Sequence, residues 1–206
     1  MQQEKPFSEL ESIALIESMI NKARNQFSEG GHLYLLWGWV IFICSVGQFV
    51  LFNVFHYKYH YSIWFITWLA FFYQMIYMFR QNKKRKVKTY TDTVLGHVWF
   101  TFIIAMFLIA FVIGSKLGSE TYKVIYPILL SLYGIPSFLS GAILRFRPLV
   151  IGGISCWVLA LIATFVPAQY HLLLIAAAMI VAWIVPGYLL QSKFKTQIQY
   201  HGRKEA

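Results

Sequence analysis

LYLLWGWVIFICSVGQFVLFNVF, residues 33–55, contains no charged side chain, and its amide and small hydroxyl groups are limited to Ser45, Gln48 and Asn53. A helix needs about 20 apolar residues to cross the roughly 30 Å hydrocarbon core of a bilayer, and this run is long enough. Working outward, five more uncharged runs follow, at about 61–79, 93–115, 124–144, 148–167 and 170–191. Lipid offers backbone N–H and C=O groups no partners, so a spanning segment is either a helix or part of a closed barrel. Barrel strands alternate polar and apolar residues over about 10 positions, and none of these runs does. The sequence therefore predicts an all-α polytopic membrane protein with a bundle of six transmembrane helices.

Composition agrees. Only 13% of the 206 residues are charged while 58% are hydrophobic, against about 25% charged in an ordinary soluble domain. Aromatic residues make up 18%, as suits the aromatic belts of membrane interfaces. What precedes residue 33 is too polar to be the apolar core of a signal peptide. Three segments are expected: a cytoplasmic amphipathic helix over 1–31, the transmembrane domain over 32–192, and a cytoplasmic tail over 193–206. In the first, Ser8 and Glu11 have capping-box spacing, and Ile13, Ile16, Ile20, Ala23 and Phe27 form a narrow apolar stripe. Gly30-Gly31 reads as the stop that ends this helix before span one.

Charge gives an orientation. Six spans place the N-terminus, the 80–92 loop, the 145–147 turn and the C-terminus on one side, with fifteen of the 18 Lys and Arg residues. Lys58, Lys116 and Lys123 alone lie opposite. The positive-inside bias puts both termini in the cytoplasm, which in a bacterium means a protein of the inner membrane. The run Lys83, Lys84, Arg85, Lys86 and Lys88 looks like a nuclear address in isolation. Between two spans it anchors to anionic headgroups instead, each basic residue contributing about 1 kcal/mol, and no nucleic-acid partner is expected.

Helix packing is expected along small-residue faces: Gly134, Ser137 and Gly141 in span four, and Gly152, Cys156, Ala160 and Thr164 in span five. The same faces could serve a homodimer, and residues 8–29 could dock a protein partner. Pro136 and Pro186-Gly187 mark places where helices four and six could bend or break around a site.

The search for chemistry is mostly negative. None of the eight Asp and Glu residues lies in a span, which disfavours the ionisable relays of pumps and antiporters. Asp92 reads as the N-cap of span three. There is no nucleophile elbow and no phosphate-binding glycine loop. Cys44 and Cys156 have no metal or redox spacing. Gln48, Gln74, Trp37 and Trp64 are the candidates for lining a small polar cavity. His32 and His97, or His56, His60 and His171, could hold a haem or a metal, although interfacial anchoring explains them as well.

Four stretches carry a resemblance: ALIESMINKARNQFSE (14–29) with LLWGW (35–39), VKTYTD (87–92), SGAILRFRPLVIGGISCW (140–157) and VPGYLLQ (185–191). Together they resemble a family of uncharacterised bacterial six-span integral membrane proteins. The resemblance implies the six-span layout and no activity, cofactor or catalytic residue. The expected function is a non-enzymatic scaffold, sensor or accessory subunit. A permease or binding protein for a small neutral or amphipathic molecule is the alternative, and a haem- or metal-binding membrane protein the third reading.

Overall fold

The computed structural model describes the backbone of residues 9–84 and 90–202, and the side chains of 31–81, 83, 91–118 and 120–193. Seven α-helices account for most of it: α1 (Glu9–Asn53), α2 (Phe65–Lys84), α3 (Tyr90–Leu117), α4 (Thr121–Ile143), α5 (Arg147–Ala163), α6 (His171–Met179) and α7 (Val185–Gly202). A five-residue π-helical turn, Ile180–Ile184, joins α6 to α7, so the two form one continuous span. Short 3₁₀ turns open α2, α4 and α6, and the described residues contain no strand.

Five stretches are long and apolar enough to cross a membrane: Gly31–Asn53, His60–Gln81, Thr91–Leu117, Thr121–Ile143 and Ala168–Lys193. The sixth, α5, has 17 residues, about 26 Å of helix, and ends earlier than the expected residue 167. Thr164 therefore lies beyond α5, and its hydroxyl bonds back to the Leu161 carbonyl at 2.7 Å. The chain is thus a helical membrane protein with five to six spanning helices.

Sequence reading also placed a helix stop at Gly30-Gly31, and this is corrected: α1 passes through both glycines without a break. Packing explains the outcome. A methyl group on Gly31 would sit 3.4 Å from the Gly187 carbonyl oxygen and from the side chains of Leu190 and Gln191. The glycine serves close approach between helices rather than a reversal of the chain. Asp92 is corrected likewise, since it lies in the first turn of α3 and not at its cap; a carboxylate there still meets the positive end of the helix dipole. The proposed capping residue Ser8, the loop residues Arg85, Lys86 and Lys88, and the end of the tail lie outside the described residues. So do the side chains of the 9–30 stripe and of Lys84.

The spans pair antiparallel, and each seam follows a heptad-like stripe. On α1 the buried positions are Gly31, Tyr34, Gly38, Ile41, Cys44, Ser45 and Gln48. Most of them face span six, where Gly38 lies against Trp183 and Ile184 of the π turn, and Gly187 of α7 lies against Leu35. Span six is the centre of the bundle. Its buried residues point to several sides: Leu172, Ile175, Ala178, Met179, Ala182, Trp183, Ile184 and Leu190. The α4/α5 seam is the tightest, with Gly141 against the Val150 backbone and Gly153 against the Phe138 backbone.

Neither proline interrupts its helix. Pro136 sits within a continuous α4. Pro186 lacks an N–H and its ring crowds the carbonyl four residues earlier; the π turn that precedes it widens the helix at that point. Two spans remain peripheral. The inward stripe of α2 is Thr67, Ala70, Gln74 and Tyr77, which rests on α1, while most of its other side chains are exposed. The helix α3 rests on α4 and exposes Phe100, Ile104, Phe107, Leu108 and Phe111.

Candidate functional site

Three groups of side chains could carry function, and each is built where helices cross. The first is a polar junction at the end of the bundle away from the termini. Gln48 is 4% exposed, and an amide this deep needs partners for both its oxygen and its nitrogen. Its oxygen accepts the Trp64 indole N–H at 2.6 Å. Its nitrogen donates to the Tyr126 hydroxyl at 3.1 Å and faces His60 Nδ1 at 3.1 Å. Tryptophan can only donate, so it fixes which way the amide points. With the amide so oriented, its nitrogen presents a donor to His60 Nδ1. One glutamine thus ties together α1, the turn before α2, and α4.

The second group lies along α1 and α2 towards the other end. The Trp37 indole N–H donates to the Gln74 side-chain oxygen. His32 Nε2 lies 3.1 Å from the Tyr73 hydroxyl, with its ring 5.0 Å from that of Tyr77. The four residues expected to share a cavity therefore form two hydrogen-bonded pairs, Gln48–Trp64 and Gln74–Trp37. Eleven residues separate Trp37 from Gln48 on α1, about 16 Å along the axis. Two clefts among the described residues are open to the surface. One is lined by Phe52, Asn53, His56, Tyr57, Lys58 and His60, the other by residues of α1 from His32 to Ile43 with Tyr73.

The third group is an aromatic core. Trp183 meets Trp99 at 5.6 Å and Tyr133 at 5.5 Å, both edge to face. Trp99 continues to Tyr34 and Phe102, and Phe102 to Tyr133. These five residues come from α1, α3, α4 and the π turn. The Trp183 N–H donates to the Ser137 hydroxyl at 2.8 Å, and Ser137 in turn donates to the Tyr133 carbonyl at 2.9 Å. Sequence reading singled out Ser137 but neither Trp183, Tyr34 nor Tyr126.

The packing candidates lie in buried seams. A methyl on Gly134 would meet the Trp157 ring and the Gly153 carbonyl, and one on Gly152 the Ala182 backbone. Cys156 and Ala160 are buried, and Cys44 and Cys156 are both free thiols. Lys83 is exposed.

His56 and His60 line one cleft, and the other histidines bond elsewhere. His97 Nδ1 approaches the Thr93 carbonyl on its own helix at 2.7 Å. His56 lies in the exposed turn after α1, with φ of 47°. His171 bonds the Val166 carbonyl at 2.9 Å. Among the described residues no three His, Cys, Asp or Glu side chains form a group that could hold a metal ion.

The fold defines a class, a polytopic helical membrane protein. The chain matches no family model, and no curated protein or solved structure matches it.

Proposed function

We propose that this chain is a non-enzymatic accessory or scaffold subunit of a membrane, acting through its surfaces rather than through an internal site. The carrying observation is the way its polar groups are used. Gln48 and Gln74, the amides best placed to line a path through the bundle, are engaged by Trp64 and Trp37. The space between the helices is occupied by the Trp183 cluster and by glycine contacts. A permease needs a polar route that some ligand could enter, so a filled bundle counts against that alternative. The peripheral positions of α2 and α3 favour lateral association. Each rests on the bundle along one stripe and presents a broad apolar face, the surface a neighbouring transmembrane protein would use.

The charge asymmetry supports a cytoplasmic location for both termini, with the loop after α2 at the anionic inner leaflet of a bacterial membrane. A photocrosslinking amino acid placed at Phe72 on α2 and at Phe107 on α3, both exposed, tests the proposal in intact membranes. The expected result is a discrete protein adduct at one of these faces, with only lipid adducts from a control position at Leu161 on α5. Lipid adducts alone at all three positions would overturn it.

A further inference from the structure

We propose that Arg145, Arg147 and Lys193 form a binding site for the phosphate of an anionic phospholipid, at the turn between α4 and α5. The turn closes α4 with paired bonds: the Phe146 N–H donates to the Gly141 carbonyl at 2.8 Å, and the Arg145 N–H to that of Ala142 at 3.2 Å. This closure puts residue 145 in the left-handed region, with φ of 50°. Glycine adopts that conformation without steric cost and is the usual occupant of the position. An arginine held there is a strained choice, and strain of this kind points to a use for the side chain.

The surroundings supply the use. Arg145 and Arg147 flank Phe146, and both are exposed while Phe146 is buried. The Lys193 ammonium lies 5.4 Å from the centre of the same phenyl ring, bringing a third cation from α7 to the same turn. Among the described residues none of the three has a carboxylate partner. Three like charges gathered at one turn repel one another unless an anion lies between them. Arg147 is also the first residue of α5, whose N-terminus has no side-chain cap, so the positive end of the helix dipole adds to the attraction for a phosphate. Two guanidinium forks and an ammonium are the groups proteins use for phosphate.

The position selects a lipid over a soluble phosphate. The turn lies where two spanning helices end, which in a bilayer is headgroup depth. Val185 and Leu189 precede Lys193 at four-residue spacing on one face of α7, and both are exposed. They form an apolar track for an acyl chain directly below the cation. This site depends only on the chain being membrane-spanning, and does not involve the docking faces of α2 and α3.

Native mass spectrometry of the full-length protein, released from micelles doped with phosphatidylglycerol or phosphatidylcholine, provides the test. The parent should retain one phosphatidylglycerol in preference to phosphatidylcholine. Each of Arg145→Gly, Arg147→Gln and Lys193→Gln should weaken that retention about fivefold, while Lys116→Gln in the last turn of α3, at the opposite end of the bundle, should not. Arg145→Gly suits the left-handed turn better than arginine does, so its loss of lipid reads the missing charge and not a damaged fold. An unchanged phosphatidylglycerol preference in the three variants would overturn the site. Displacement of the lipid by millimolar inorganic phosphate would overturn its assignment to a lipid.

Discussion

Trp183→Ala should destabilise the bundle by about 3–5 kcal/mol, the range for removing a large buried aromatic side chain. Trp183 is 3% exposed and meets Trp99 and Tyr133 edge to face, contacts worth about 0.5–1.5 kcal/mol each beyond their buried area. In a membrane the unfolded helices already lie among apolar tails, so transfer from water contributes little. What remains is the dispersion lost across the void, and the value should fall in the lower part of the range. Trp183→Phe keeps most of the ring contact and gives up the bond to Ser137, a loss of about 1 kcal/mol. Ser137 would still donate to the Tyr133 carbonyl, so no buried hydroxyl is stranded. Reversible unfolding in mixed micelles with increasing SDS measures both. A Trp183→Ala variant within 1 kcal/mol of the parent would mean that the aromatic cluster does not hold α1, α3, α4 and span six together.

Gly152→Val should prevent α5 from seating at all. The first side-chain carbon added at Gly152 would lie 2.5 Å from the Ala182 Cα. A flexible side chain could turn away from such a contact, but backbone cannot, so the two helices must separate along the seam. Overpacking of a rigid interior costs about 1–3 kcal/mol and sometimes more. Contact with backbone at the bundle centre puts this case at about 3 kcal/mol or above. Ala182→Gly should restore little, because the conflict is with the Cα and not with the methyl. Gly114 is the matched control, since nothing lies within 4 Å of a methyl added there. Gly114→Ala in α3 should leave stability within about 0.5 kcal/mol. The amount of folded protein recovered from membranes, followed by the same SDS titration, separates the three variants. Equal recovery of Gly152→Val and Gly114→Ala would contradict the close crossing of α5 with the π turn of span six.

How much of this could be read from the chain differs by feature. The uncharged runs prescribe helices because lipid leaves the backbone no alternative, and the structure supplies five to six such helices. The seam on α1, from Gly31 through Tyr34, Gly38 and Ile41 to Gln48, follows a spacing already visible in the sequence. Which helix meets that seam is tertiary information. The same gap explains Gly30-Gly31. Two adjacent glycines signal a chain reversal when only local conformation is weighed, yet here Gly31 answers the approach of Gly187 and Leu190 from span six. Pro186 suggested a broken helix, and the π turn Ile180–Ile184 just before it accommodates it instead. Gln48 and Trp64 were legible as unusual residues for lipid. Their pairing with each other, and with Tyr126 from 78 positions along the chain, was not, because hydrogen bonds across helices leave no periodic mark.

The account rests on a bundle whose centre is filled and closed to water, and the chain carries its own probes of that centre. Its two cysteines, Cys44 and Cys156, are free and fully buried. Labelling with a small, membrane-impermeant, water-soluble methanethiosulfonate reagent, applied to both sides of membranes holding the unmodified protein, tests the claim directly. Neither thiol should react before unfolding, and both should react in SDS. Rapid labelling of either cysteine in the native membrane would reveal an aqueous path into the bundle and contradict the account.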